Sequence, residues 1–226
     1  SREEGYEKLE RMINGVFISP LVKERVHQGE NVIYTEDMKT LVVYRPEGVI
    51  EYLNLAPRQL QTGTSMLKGY NVALEFIERV QVMPKSIADN LYLADVKQKG
   101  LDFTYSFNMM YEGYRLQLSE EMQASLGMDA LVQVVVRGKD VIEAHFSTLE
   151  VVPKEVELKA LSTHYLEPID KMYTLFEKQG IEDFMIDHLE LVYLLEGIGE
   201  DIDMTWGAVY DHKWYYPLIM RQIPGF

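Results

Sequence analysis

A ten-residue segment occurs twice in this sequence and limits the architectures that the chain can adopt. Residues 42–51 (VVYRPEGVIE) and residues 134–143 (VVVRGKDVIE) are identical at six of ten positions. Each copy has apolar, mostly β-branched residues on both sides of a short polar turn, which is the pattern of a β-hairpin. The repetition therefore predicts two related lobes that arose by internal duplication.

Composition indicates a globular chain and narrows its function. The chain has 226 residues, of which 47% are apolar and 26% charged, so it can bury a sizeable core. The absence of Cys excludes thiol catalysis, zinc held by cysteines and disulfides. The net charge of −14 repels nucleic acid phosphates and anionic lipid head groups, which argues against DNA or RNA binding. No apolar run approaches the roughly 20 residues of a membrane-spanning helix, so we expect no span or signal peptide within this chain.

Hydrophobic periodicity predicts an α+β fold in which helices pack on antiparallel sheets. The predicted helices carry an apolar stripe at helical spacing and lie at 6–13, 19–26, 64–83 and 166–176. Thr64 and Ser65 are both suitable N-caps for the third of these helices. The predicted strands lie between turn-forming residues, at 31–35, 39–45, 49–54, 91–96, 101–110, 114–118, 131–137, 141–152, 189–195, 204–210 and 214–220.

The order of these elements predicts the domain organisation. A helix, a strand and a hairpin follow one another at 64–118 and again at 160–220, whereas the first 61 residues match the hairpin near 131–150. We therefore expect a discontinuous lobe of residues 1–61 plus 160–226 and a second lobe of residues 62–159. Strands from the two ends of the chain would then share one antiparallel sheet, and Pro153 with the charged residues after it would form a linker.

No group of residues has the spacing of a known catalytic or metal-binding motif. The five histidines are scattered, and each is interpreted as a solvated or hydrogen-bonded side chain: His27, His145, His164, His188 and His212. One loop is rich in acidic residues but lacks the spacing of an EF-hand: Glu196, Glu200, Asp201 and Asp203. We therefore predict no catalytic residue, no metal-binding residue, no cofactor and no enzymatic activity.

The C-terminal aromatic residues form the candidate partner interface, which comprises Trp206, Tyr210, Trp214, Tyr215 and Tyr216. Tyr and Trp combine a large apolar surface with a polar tip and are enriched at interfaces. Because side chains alternate along a strand, Trp206 and Tyr210 share one face, and so do Trp214 and Tyr216. We expect one face to be core and the other to contact a partner or, alternatively, to line a ligand cleft.

Several segments resemble the YycH/YycI family of regulatory proteins from Gram-positive bacteria. The resemblance covers nearly the whole chain and is to the C-terminal two domains of YycH. The segments similar to the family's first strands are 33–37 (IYTED), 41–43 (LVV) and 49–54 (VIEYLN). Those similar to its following helix and hairpin are 73–77 (ALEFI), 103–107 (FTYSF) and 113–114 (GY).

The resemblance implies an extracytoplasmic regulator of the WalK/WalR (YycG/YycF) two-component system, which is involved in cell wall homeostasis. It implies association with the sister regulator (YycI or YycH) and with the sensor kinase WalK, and no catalytic step. It also implies a single-pass membrane anchor upstream of this chain. The alternatives are an extracytoplasmic small-ligand or cell-wall glycan binding module and, less in keeping with the residues, an exported hydrolase with carboxylates converging in a cleft.

Overall fold

The structure is a computed structural model of the 226-residue chain. The residues that it describes are 2–19, 21, 23–37, 40–56, 64–83, 85–149, 164–181, 183–199, 202–211 and 213–218.

Packing divides the chain into two units. Unit 1 comprises Ser1–Met110 and Glu120–Val151, and unit 2 comprises Tyr111–Ser119 and Val152–Phe226. This division is not the predicted one, because residues 1–61 belong with most of residues 62–151 and not with the C-terminal segment. Both copies of the repeated segment lie in unit 1, so the repeat does not correspond to two separate lobes.

Unit 1 is an antiparallel sheet with helices on it. Its helices are α1 (Arg2–Val16), α2 (Met66–Val80), α3 (Lys85–Ala88) and α4 (Glu120–Leu126). Its strands are β1 (Glu24–Gln28), β2 (Asn31–Glu36), β3 (Thr40–Arg45), β4 (Val49–Asn54), β5 (Leu91–Lys99), β6 (Asp102–Tyr111), β8 (Val132–Arg137) and β9 (Asp140–Ser147). The strands pair in the order β1-β2-β3-β4-β9-β8-β6-β5, and each of these pairs is antiparallel.

The pairing of β4 with β9 joins the two repeated hairpins. In its register, Ile50 lies opposite Phe146 and Tyr52 lies opposite Ala144. All four residues are buried, so the strand pair continues one apolar face across both hairpins. The prediction that residues 31–54 pair with strands of the C-terminal segment is therefore wrong. A hairpin sequence specifies its own turn and strands, whereas the edge to which it adds is chosen by packing of its apolar face.

Helices α1 and α2 cover this apolar face. Tyr6 of α1 packs against Tyr44 of β3, with ring centroids 6.0 Å apart. Phe76 of α2 packs against Tyr52 of β4 at 5.1 Å and against Phe146 of β9 at 6.4 Å. The helices follow from their apolar stripes, which match the alternating apolar residues of the strands below them.

Unit 2 has a smaller sheet with one described helix. Its elements are β7 (Tyr114–Leu118), α5 (Leu166–Lys178), β10 (His188–Leu195), β11 (Asp203–Tyr210) and β12 (Lys213–Tyr215). The strand order is β7-β10-β11-β12, in which β7 and β10 are parallel and the other pairs antiparallel. Met172 and Phe176 of α5 and Ala208 of β11 are fully buried and form the centre of its core.

Most predicted elements are observed, and the α+β class with mostly antiparallel strands is confirmed. The predicted helix at 19–26 is wrong at its C-terminal end, because Val26 lies in β1, and the sequence pattern does not predict β1, α3 or α4. The residues of the predicted linker, 153–159, lie outside the described part of the chain. In that part, no helix combines the length and the apolar character needed to cross a membrane.

Candidate functional site

The aromatic residues of the predicted interface lie on and just after β11 and β12. Ala208 of β11 is opposite Tyr215 of β12, and Val209 is opposite Trp214. This register separates the five aromatic residues onto the two faces of the sheet of unit 2, because neighbouring residues of a strand point in opposite directions.

Tyr210 and Tyr215 belong to the core of unit 2. Their ring centroids lie 4.6 Å and 5.5 Å from that of Phe176, on the face that α5 covers. Trp206 shares this face by alternation with Ala208 and Tyr210, and it is half-buried. The structure therefore places these three predicted interface residues on the side of the sheet that carries the helix.

Trp214 and Tyr216 lie on the opposite face and are half-exposed. Their ring planes differ by 8°, and their centroids are 6.4 Å apart. Trp214 lies over Gly207, where a Cβ atom would come within 2.7 Å of its Cζ3 atom. Glycine at this position thus allows the indole ring to lie close to the backbone of β11.

A chain of polar side chains begins at the Trp214 ring. His188 meets Trp214 edge to face at 6.5 Å, and its Nε2 atom lies 3.2 Å from Glu190 Oε2. The other carboxylate oxygen of Glu190 lies 3.3 Å from Arg115 Nη1 but has no aligned hydrogen bond among the described residues. We refer to His188, Glu190, Trp214 and Tyr216 as the aromatic patch. It is an aromatic surface bordered by polar side chains, with the guanidinium of Arg115 next to Glu190.

A second group of polar residues lies in unit 1, where sequence reasoning did not predict a site. Glu51 of β4 is directly opposite His145 of β9, and Glu143 precedes His145 by two residues on the same face. We refer to Glu51, Glu143 and His145 as the Glu–His cluster. Its carboxylate oxygens and imidazole nitrogen all lie within 4.8 Å of one another, a spacing compatible with holding a metal ion.

Hydrogen bonds and charge organise the Glu–His cluster. His145 Nε2 and Glu143 Oε1 are joined by a hydrogen bond of 2.6 Å, and Glu51 Oε1 lies 3.9 Å from the same nitrogen. The hydrogen bond with His145 is the main reason why the pKa of Glu143 is lowered from its ordinary value, and the charge of Arg45 contributes. Arg45 donates to Glu51 Oε2 through Nε at 3.0 Å and Nη2 at 2.6 Å. The cluster therefore favours the ionised form of Glu143.

The repeated segment contains the signal for this cluster. Glu51 and Glu143 are the matched last residues of the two copies. Once β4 pairs with β9, these two glutamates approach each other from adjacent strands. Sequence reasoning interpreted His145 as a hydrogen-bonded or solvated side chain, which its bond to Glu143 confirms, but it missed the two carboxylates beside it. Of the acidic loop, Glu200 and Asp201 lie outside the described residues, as does His212.

A pocket of about 360 Å³ lies between α2 and the turn that joins β8 to β9. Acidic, basic and aromatic residues line the pocket, among them Tyr52, Glu75, Phe76, Arg79, Lys139 and Asp140. The Arg79 guanidinium lies 5.2 Å from the centre of the Phe76 ring. Such a pocket has room for a small polar molecule.

Comparison with known proteins gives a fold and no family. No protein-family model and no curated protein matches this chain. An uncharacterized protein from Eubacterium rectale ATCC 33656 has a similar structure, with a TM-score of 0.57, 15% identity, and coverage of 92% of this chain and 72% of that one. YycH from Bacillus subtilis is similar with a TM-score of 0.53, 12% identity and coverage of 91% of this chain.

The chain spans about half of the YycH structure, 47% of its length. The C-terminal domain of Bacillus megaterium YpeB is also similar, with a TM-score of 0.48, 11% identity and coverage of 96% of this chain and 92% of that one. At these identities the likeness to the Eubacterium rectale protein and to YycH is one of fold. The chain therefore has a YycH-like fold.

Proposed function

We propose that this chain is the extracytoplasmic part of a regulatory protein that modulates a sensor histidine kinase of the WalK (YycG) type by association. The observation that carries this proposal is the YycH-like fold, which extends over 91% of the chain. The segments that resemble the YycH/YycI family, such as 49–54 and 103–107, lie in β4 and β6 of this fold. The partners are then the kinase and the sister regulator, YycI or YycH.

The proposed location is the extracytoplasmic face of the cell membrane, with a single-pass anchor in the full-length protein. No catalytic step is part of the proposal, because a regulator of this type acts by changing the conformation or assembly of its partner. A binding surface is then what the chain must supply.

The aromatic patch is the surface that we assign to the partner. Binding energy at interfaces concentrates in Trp and Tyr side chains that are surrounded by polar groups. Trp214 and Tyr216 are half-exposed on the face of the sheet opposite α5. His188 meets the Trp214 ring, Glu190 lies next to His188, and Arg115 lies next to Glu190. These residues combine a hydrophobic centre with a charged rim that can select the orientation of a partner.

A pull-down with the WalK extracytoplasmic domain and with the sister regulator tests this assignment. We expect Trp214→Ala and Tyr216→Ala to weaken association by about tenfold or more, since loss of a hot-spot residue costs about 2 kcal/mol of binding. Circular dichroism should show folded protein, with a melting temperature close to that of the parent chain. The measurement is the dissociation constant of each variant, obtained from pull-downs over a range of partner concentrations.

Trp206→Ala is the matched control, because it removes the same side chain from the neighbouring strand but on the face that carries α5. We expect it to change stability more than association. The assignment is wrong if folded Trp214→Ala and Tyr216→Ala variants bind as tightly as the parent chain. The proposed function itself fails if the parent chain binds neither partner.

The pocket between α2 and the β8–β9 turn favours a second candidate, an extracytoplasmic module for a small ligand or cell-wall glycan. Arg79 and Lys139 can bind an anionic group there, while Glu75 and Asp140 can bind a cationic or hydroxyl group. In that case the parent chain would bind neither partner in the pull-down, so the same experiment also distinguishes the two candidates.

A further inference from the structure

We propose that the Glu–His cluster is a binding site for a divalent transition-metal ion of the zinc class. Its three side chains supply two carboxylate oxygens and one imidazole nitrogen from adjacent strands. Neither the fold nor the proposed regulatory function requires such a site. All three ligands lie in unit 1, whereas the aromatic patch lies in unit 2, so the two proposals can be tested separately.

The geometry needs small adjustments to accept an ion. Zinc binds His nitrogen and carboxylate oxygen at about 2.0–2.2 Å, which places tetrahedral ligand atoms about 3.4 Å apart. The Glu143 Oε1 to His145 Nε2 distance of 2.6 Å must therefore widen, and the Glu51 Oε1 to His145 Nε2 distance of 3.9 Å must shorten. Glu143 is 41% exposed at its side chain and has room to turn, whereas Glu51 must turn against its hydrogen bonds with Arg45.

Glu51 is held in a conformation suited to this role. The residue is 8% exposed, and the guanidinium of Arg45 binds its Oε2 atom. Its Oε1 atom accepts no hydrogen bond from the described residues and lies on the side of His145. This oxygen is therefore available to bind a cation placed between Glu51 and His145.

The charge around the cluster favours a cation but limits its affinity. Glu51 and Glu143 carry two negative charges, and Arg45 contributes one positive charge. Asp102 is close enough to act on Glu143, but Arg137 pairs with it through two hydrogen bonds. The cluster therefore has a net negative charge in which Arg45 competes with the ion for Glu51.

The ligand set selects the class of metal. Calcium and magnesium prefer sites made of oxygen atoms alone, whereas imidazole nitrogen suits zinc and its neighbours in the first transition row. Three protein ligands leave at least one coordination position open to water or to a side chain of a partner. Because the ligands come from β4 and β9, the bound ion would also link the two repeated hairpins.

Isothermal titration of the metal-free chain with zinc chloride, in a buffer that does not bind metals, tests the proposal. We expect one high-affinity zinc ion per chain and a rise in melting temperature on saturation, since a ligand that binds the folded state stabilises it. His145→Gln and Glu143→Gln should each weaken binding at least about tenfold, because even the loss of outer-shell groups costs about 10–100-fold. Calcium and magnesium should not displace zinc.

Two further variants make the test specific. His188→Gln is the matched control, because His188 also lies near a glutamate, at 3.2 Å, but has no second carboxylate within reach among the described residues. It should leave the high-affinity site unchanged. Arg45→Gln should tighten zinc binding by freeing Glu51, an effect that a purely structural Glu–His cluster would not produce.

The proposal is wrong if the parent chain binds no zinc with high affinity, or if folded His145→Gln and Glu143→Gln variants bind zinc as the parent does. Glu143 is 41% exposed at its side chain, so its change to the isosteric Gln should leave the fold intact. The melting temperature of each variant without metal shows whether it is folded, and Glu143→Gln decides the result if His145→Gln is not.

Discussion

At the scale of single residues, Gly69 shows how closely a helix approaches the sheet of unit 1. It lies in α2 directly above Tyr105 of β6, and a Cβ atom at this position would lie 2.3 Å from the Tyr105 hydroxyl oxygen. That hydroxyl donates a hydrogen bond of 2.6 Å to the Met66 carbonyl oxygen in the first turn of the helix. Glycine therefore allows a polar contact between helix and sheet within a buried aromatic region.

Gly69→Ala should destabilise the protein, although alanine favours helix formation by about 1 kcal/mol over glycine. Tyr105 is fully buried and is packed against Tyr70 and Phe103 at 6.2 Å each, so its ring cannot move away freely. Overpacking of this kind costs about 1–3 kcal/mol. We expect a net loss of free energy of unfolding, measured by urea denaturation.

A double-mutant cycle with Tyr105→Phe isolates the cause. Removal of the hydroxyl group removes the closest contact, so Gly69→Ala should cost less in the Tyr105→Phe background than in the parent chain. If the cost is the same in both backgrounds, the hydroxyl contact does not explain the glycine.

At the scale of elements, the two repeated hairpins keep the same pairing despite different turns. Residues 46–48 separate β3 from β4, whereas residues 138–139 alone separate β8 from β9. The second turn is one residue shorter than the first. A register shift at Val135–Val136 leaves one extra residue on β9 and so restores the pairing seen in the first hairpin. As a result Val43 lies opposite Glu51 in the first hairpin, and the matched residues Val135 and Glu143 are opposite each other in the second.

Helix α2 provides a test of how an element begins. The sequence allowed Thr64 or Ser65 as its N-cap, and the structure assigns the cap to Ser65, whose Oγ accepts a hydrogen bond of 3.4 Å from Lys68 N. Ser65→Ala should therefore lower the free energy of unfolding by about 0.5–1 kcal/mol, at the low end for a cap because the bond is long. Thr64→Ala is the control and should change stability less. An equal effect of the two changes, measured by thermal or urea unfolding, would contradict this assignment.

Local pattern explains why the elements were predictable and the site was less so. Alternation and turn residues are short-range signals, so β2, β3, β4 and β7 were predicted with nearly correct ends. The Glu–His cluster forms only because β4 pairs with β9. That pairing joins residues far apart in the chain, so no short-range pattern predicts it. Similarly, the alternation of side chains along a strand is enough to place Trp206 and Trp214 on opposite faces of the sheet. It does not show which face is core, because that depends on where α5 packs.

At the scale of the whole molecule, each unit has its own hydrophobic core. The core of unit 1 includes Ile50, Phe146 and Phe76, which lie between its sheet and α2. That of unit 2 is centred on Phe176, whose ring contacts Phe184 and Tyr210 at centroid distances of 4.6 Å. Cooperative opening in proteins follows such packed groups of elements more than it follows the order of residues along the chain.

Loss of one core should therefore open one unit more than the other. Phe146→Ala and Phe176→Ala each remove a fully buried ring, and each should cost about 3–5 kcal/mol of local stability. Hydrogen exchange followed by mass spectrometry should show faster exchange in β4, β8 and β9 for Phe146→Ala, and in α5, β10 and β11 for Phe176→Ala. The two changes serve as controls for each other, because each deletes a phenylalanine ring that is buried to the same degree.

Faster exchange throughout the chain in both variants would mean that the two cores unfold together. Faster exchange confined to one unit in each variant would mean that the two cores open independently.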